Sequence, residues 1–305
     1  MPSTVSRLGH SLFARPIPLL LLAMLSWSGN TIAGRLAVDE ISPLLLVSLR
    51  WVGVIGALWP FYGAEVKAQW PAMRPRLGWL VLMATFGFTI FNVLYYYAAR
   101  STSAVNLGIL QGSMPIFVMA GTIVMLGTRP TRLQWAGALI TTLGVLLVAT
   151  QGNPMALIHL SISRGDGLLL IACLFYSLYT VALRDRPPMQ GAVFFTMLAA
   201  VAAITSLPLI PLDWLTGGLH WPTWKGWLIA VYVAMFPSCL AQLFFLRGVD
   251  LVGPSRAGVF MNLVPVMSAL LGVGLLGEPF RWYHAVAMVL VFTGIWIAEH
   301  TKRVG

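Results

Sequence analysis

Ten runs of predominantly apolar residues fill most of this chain, each near the roughly 20 residues that a helix needs to cross a bilayer. The first five are Pro16 to Leu36, Pro43 to Tyr62, Leu77 to Tyr97, Ala104 to Leu126 and Leu133 to Thr150. The second five are Gly167 to Leu183, Ala192 to Ile210, Trp224 to Leu246, Gly253 to Leu276 and Trp282 to Ala298. In hydrocarbon every backbone amide must find its partner inside the protein, so runs of this kind read as helices. The fold class expected is an all-α polytopic membrane protein with ten transmembrane helices. The short connections leave no room for a soluble catalytic domain.

Charge supports the same solvent. Only 9% of residues are charged, against about 25% in soluble domains. The two cysteines, Cys173 and Cys239, sit inside apolar runs, and the histidines lack ligand spacing. No disulfide framework, metal site or cofactor is expected. The net charge of +10 does not indicate nucleic acid, because the basic residues come in ones and twos between apolar runs. Sorted by loop, 13 of the 19 lie on the side of the two termini, Lys67, Arg76, Arg132 and Arg186 among them. Five lie opposite: Arg35, Arg100, Arg164, Lys225 and Arg281. Arg50 falls within the second run. That bias places the N and C termini in the cytoplasm. Arg7 and Arg15 before a Leu-rich core invite comparison with a signal peptide. The run continues through Trp27 to Asn30 without a cleavage pattern, so a retained helix is expected.

The chain echoes itself at a distance of about 150 residues. Trp27-Ser28, Thr31, Ala33 and Arg35 align with Tyr176-Ser177, Thr180, Ala182 and Arg184. Gly108, Pro115, Leu126-Gly127 and Gly144 align with Gly258, Pro265, Leu276-Gly277 and Gly294. The boundaries expected are residues 16–150 for a first five-helix repeat and 166–299 for a second. Five is odd, so the copies would enter the membrane in opposite senses. Inverted repeats of this kind are a transporter architecture, with the substrate held at the midplane between them.

Trp27-Ser28-Gly29-Asn30 in the first run, Pro43 and Arg50 in the second, and Leu276-Gly277-Glu278-Pro279 after the ninth resemble the EamA type of the drug/metabolite transporter superfamily. The resemblance implies a carrier of the bacterial inner membrane that moves small metabolites by alternating access. In size and aromatic content the chain is similar to members that export aromatic amino acids. The first half departs from the second in one place, with Gly127-Thr128-Arg129 standing where Gly277-Glu278-Pro279 stands later.

Polar groups deep in membrane helices should face protein or a watery cavity. Trp27 and Asn30 share one helix face, and their partners in the second repeat are Tyr176 and Tyr179. Asn92 pairs with Gln242, and Gln111 and Asn262 precede the paired prolines Pro115 and Pro265, which are candidate hinges. With Tyr95, these residues form the expected substrate site; cross-linking of helices by hydrogen bonds is the alternative for each. Pro237 reads as a packing kink, Gly108 with Gly112 as close helix packing, and the GxGxxG pattern at Gly272 to Gly277 as small-residue packing rather than a nucleotide site. Arg50 either meets a substrate carboxylate or snorkels or pairs with Asp39 or Glu40.

All nine acids fall in loops or at the ends of runs. A carrier without an embedded carboxylate lacks the usual proton relay, so a neutral or zwitterionic substrate moved without such coupling is expected. A phosphorylated-sugar or nucleotide-sugar exchanger would need more deep basic residues, and a membrane-embedded transferase would need acids. The expected partners are a small-molecule substrate and the lipid bilayer, with the chain a monomer or homodimer.

Overall fold

The structure, a computed structural model, describes residues 13–37, 39–101, 110–158, 163–277 and 279–300. Among them there is no strand, and eight stretches are long and apolar enough to cross a bilayer. Helices α1 (Pro16–Leu36), α2 (Pro43–Met73), α3 (Leu77–Ala84) and α4 (Phe91–Ser101) come first, with a π-helical turn at Thr85–Ile90 joining the last two. After them follow α5 (Met114–Leu126), α6 (Arg132–Ala149), α7 (Arg164–Ala182), α8 (Gly191–Ser206) and the short α9 (Leu209–Leu215). A second π-helical turn, Ala234–Leu240, joins α10 (Trp224–Val233) to α11 (Ala241–Val252). The chain then forms α12 (Pro254–Phe260), α13 (Leu263–Leu276) and α14 (Trp282–Glu299). The start of the fourth expected span at Ala104, with Gly108, and the loop acid Glu278 lie outside the described residues.

The outer surface is apolar and the interior carries the polar groups, as lipid requires. Val124 is 84% exposed and Phe61 75%, whereas Arg50, Asn92, Gln242 and Asn262 are buried. Two expected boundaries are corrected. Helix α2 runs past Tyr62 to Met73; at about 1.5 Å per residue it spans roughly 46 Å, beyond a hydrocarbon core of about 30 Å. Glu65 and Lys67 therefore sit exposed on helix rather than in a loop. The seventh run does not stay continuous to Ile210, because the helix breaks before Pro208 and restarts as α9.

Helix contacts come in pairs that exchange when residue numbers shift by about 150. Helix α1 packs on α11 and α13, and α7 packs in the same way on α4 and α5. The contacts of α2 with α8 and of α6 with α14 each map onto themselves. The α6–α14 seam shows how close this correspondence is. A Cβ on Gly144 would stand 3.0 Å from the Ala287 carbonyl and 2.7 Å from Val291, and one on Gly294 would stand 2.6 Å from both the Gly137 carbonyl and Thr141. Only glycine permits backbones to approach this far. Residue numbers rise along α6 as they fall along α14, so these two helices run antiparallel.

Irregular features repeat as well. The two π turns are one such pair. Helix α5 starts after a break at Gly112–Ser113, and α13 after a break at Met261–Asn262. Pro115 and Pro265 thus do not kink continuous helices, as the sequence suggested. Each sits in the first turn of a new one, where proline costs no hydrogen bond. Both new helices end on a left-handed glycine, Gly127 at φ 64° and Gly277 at φ 71°, the usual glycine stop. The next helices open with matching caps: the Thr131 amide donates to Gln134 Oε1 at 2.8 Å and the Arg281 amide to His284 Nδ1 at 3.1 Å.

Candidate substrate cavity

The two π turns, the two breaks and α1, α2, α4, α7 and α11 surround one cavity, a void of about 760 Å³ with its open solvent included. Trp27, Trp51, Phe88, Phe91, Tyr95 and Tyr176 give it aromatic walls. Asn30, Thr31, Arg50, Asn92, Gln111 and Gln242 supply polar groups, and no aspartate or glutamate is among its lining residues. Such a space, mostly apolar with a few convergent polar groups, has the character of a small-molecule site.

Local chemistry explains how the wall is held. Proline has no amide hydrogen, so Pro237 leaves the carbonyl of Val233, four residues earlier, without its helical donor. The Ser238 hydroxyl takes that place, donating to the Val233 carbonyl at 2.6 Å. The Ser238 oxygen in turn accepts from Arg50 Nε at 2.8 Å. From its other side Arg50 donates through a terminal nitrogen to Asn92 Oδ1 at 2.5 Å, and the Asn92 amide donates to the Phe88 carbonyl at 2.6 Å. Arg50 thereby links the two π turns. It is 5% exposed, and no carboxylate among the described residues pairs with it. The sequence alternative of pairing with Asp39 or Glu40 is not what the structure shows. Glu40 instead bonds the Thr223 hydroxyl and faces Lys225 at 3.8 Å.

Trp27 and Tyr176, equivalent positions of the two halves, meet edge to face with ring centres 5.7 Å apart. The Trp27 indole donates to the Pro237 carbonyl at 3.0 Å, and the Tyr176 hydroxyl and Gln242 amide lie 3.2–3.3 Å apart. The kink at Pro237, read from sequence as packing, thus presents a carbonyl to the cavity wall.

Eight of the expected site residues line the cavity: Trp27, Asn30, Arg50, Asn92, Tyr95, Gln111, Tyr176 and Gln242. Four do not. Tyr179 is buried behind the wall, its ring against Phe88 at 4.9 Å and Tyr176 at 5.4 Å. Asn262 is fully buried and its amide donates to Thr141 Oγ1 at 2.9 Å, tying the α13 break to α6. Pro115 and Pro265 lie off the wall. Sequence reasoning missed Trp51, Phe88, Phe91, Met261 and Ser238; only Ser238, directly after an intrahelical proline, carried a local signal.

Comparison with known proteins agrees with this architecture. The model of the EamA-like transporter family matches residues 14–150 and again residues 163–298. The transporter YyaM of Bacillus subtilis (strain 168), itself uncharacterized, is 28% identical over 233 residues, 73% of each chain. YetK of the same strain, also an uncharacterized transporter, is 23% identical over 93% of this chain and 86% of its own. The uncharacterized inner membrane transporter YedA of Escherichia coli (strain K12) is 26% identical over 87% of this chain and 85% of its own. One protein of known crystal structure shares the fold with a TM-score of 0.73 at 21% identity, over 92% of this chain and 95% of that one. The chain is a helical membrane protein and belongs to the EamA-like transporter family.

Proposed function

We propose that this protein is a ten-helix carrier of two inverted five-helix repeats, residues 16–150 and 166–299, exporting aromatic and other neutral amino acids by alternating access. The paired helix contacts and the antiparallel α6–α14 seam support the inverted repeat. The continuous apolar stretch Pro43–Ala98 is 56 residues long, ample for two crossings. The termini are assigned to the cytoplasm from the basic-residue bias, and the membrane to the bacterial inner membrane.

One observation carries the substrate assignment: Arg50 is a buried cation with no acidic partner among the described residues, set in an aromatic cavity. A buried charge demands compensation, and a substrate carboxylate supplies it. Helices α5 and α13 both start at the cavity, where their dipoles favour negative charge. The ring walls accept an aromatic or apolar side chain, and the amides of Asn30, Gln111 and Gln242 serve its polar groups. A phosphorylated substrate would meet one guanidinium and no lysine there, which disfavours the sugar-phosphate alternative. With no carboxylate among the described residues that line the cavity, the carrier moves its substrate down the concentration gradient, outward for a metabolite that accumulates in the cytoplasm.

Counterflow in proteoliposomes against a panel of amino acids, amino-acid amides, sugar phosphates and cationic drugs tests this. Saturable exchange of neutral amino acids, lost for the amides, is the expected result; exchange of sugar phosphates or cations alone overturns it.

A further inference from the structure

The cavity draws unequally on the two halves. At some positions both equivalents line it: Trp27 with Tyr176, Gly87 with Pro237, Asn92 with Gln242. Asn30, Thr31 and Tyr95 line it alone. Their counterparts about 150 residues on, Tyr179, Thr180 and Phe245, are 3%, 0% and 0% exposed. Tyr179 in addition buries a hydroxyl oxygen that has no hydrogen-bond partner, an arrangement that native interiors rarely keep without a reason.

If the halves are inverted copies, as proposed above, each can adopt the conformation the other now holds, and the cavity then opens to the opposite face. Residues exposed in one half then exchange roles with their buried equivalents. We infer that Tyr179, Thr180 and Phe245 form a second substrate-contact surface, exposed only in the opposite-facing state. There the Tyr179 hydroxyl takes the place at the cavity wall that the Asn30 amide holds in this structure. Thr31 stands near the C-terminal end of α1 and Thr180 near that of α7, which lie on opposite faces in an inverted repeat.

Single-cysteine variants Thr31→Cys and Thr180→Cys, each with Cys173 and Cys239 replaced by alanine, are treated in proteoliposomes with a membrane-impermeant thiol reagent from one face at a time. The expected outcome is reaction of Thr31→Cys from one face and of Thr180→Cys from the other. A Thr180→Cys thiol that resists the reagent from both faces, while Thr31→Cys reacts and exchange persists, overturns the inference. In the native cysteine background, Tyr179→Phe should raise KM about two- to tenfold at the face where Thr180→Cys reacts, the worth of one hydrogen bond. It should leave KM at the other face unchanged, and an equal shift at both faces overturns the assignment. Failure of the amino-acid reading looks different: the two faces still label as expected, but no amino acid exchanges or protects either thiol.

Discussion

Arg50 in α2 and Ser238 in the second π turn stand 188 positions apart in the chain and 2.8 Å apart in space, Arg50 Nε donating to the serine hydroxyl. With the bond from Arg50 to Asn92, this contact makes one guanidinium the tie between the irregular turns of both halves. Under the proposed function, a substrate carboxylate at Arg50 would compete with Ser238 and Asn92 for the same donors, so that binding and the link between the two turns would meet at one side chain.

Replacing Arg50 with glutamine removes the charge while keeping a hydrogen-bonding head. KM for amino acids should rise roughly ten- to hundredfold, the usual worth of a hydrogen bond to a charged group. The control is the amino-acid amide, which should bind the native protein weakly and lose little more in Arg50→Gln. An amino-acid KM unchanged in a folded Arg50→Gln variant removes the carboxylate role.

Ser238→Ala leaves the Val233 carbonyl and Arg50 Nε without their partner. Two buried groups lose a hydrogen bond, so a destabilisation of about 1–3 kcal/mol is expected, read as a lower thermal midpoint in detergent. Ser238→Thr, which keeps the hydroxyl, should recover most of it. Equal midpoints for the alanine and native proteins would show that the link between the turns carries no weight.

Trp27 and Tyr176 should set side-chain preference. Trp27→Leu removes an edge-to-face aromatic contact and the indole donor to Pro237, and aromatic pairs add about 0.5–1.5 kcal/mol beyond area burial. Exchange of aromatic amino acids should weaken several-fold more than that of leucine or valine. Parallel losses for both classes would leave Trp27 a packing residue only.

At the α6–α14 seam, even one methyl group is too much. Gly294→Ala places its Cβ 2.6 Å from the Gly137 carbonyl, whereas Gly34→Ala in α1 meets nothing within 4 Å. The first should lower the thermal midpoint, since overpacking costs about 1–3 kcal/mol; the second should be neutral or stabilising by up to about 1 kcal/mol through helix propensity. Similar behaviour of the two variants would mean that the seam yields freely.

A pH gradient imposed across proteoliposome walls should not drive amino-acid accumulation beyond equilibrium, because no carboxylate is among the described residues that line the cavity. Sustained uphill uptake that collapses with the gradient would refute the uncoupled mechanism.

Much of this architecture could be read from residue order, because lipid makes hydrophobic run length an almost direct record of helices. The 150-residue echo made Trp27 and Tyr176 equivalent positions, and in the structure these two rings meet. The misplaced end of α2 has a plain cause: Glu65 and Lys67 are compatible with helix beyond the hydrocarbon, so charge marked the membrane boundary and not the helix end. The π turns were invisible, since apart from Pro237 the segments Thr85–Ile90 and Ala234–Leu240 look like ordinary apolar helix. Tyr179 and Asn262 were misplaced for another reason. An internal repeat treats both halves alike, whereas the cavity draws on them unequally. Periodicity identifies a pair such as Asn30 and Tyr179 but not which member faces the cavity.

The glycine seam between α6 and α14 is self-complementary: what Gly144 offers to Ala287 and Val291, Gly294 offers to Gly137 and Thr141. If the halves are inverted copies, as proposed, such a surface does not require both on one chain. A gene of half this length, inserted in both orientations, can close the same seam between two separate molecules. Covalent fusion then mainly fixes the stoichiometry and frees each copy to diverge. Two separately expressed halves of this protein are thus natural candidates for reassembly.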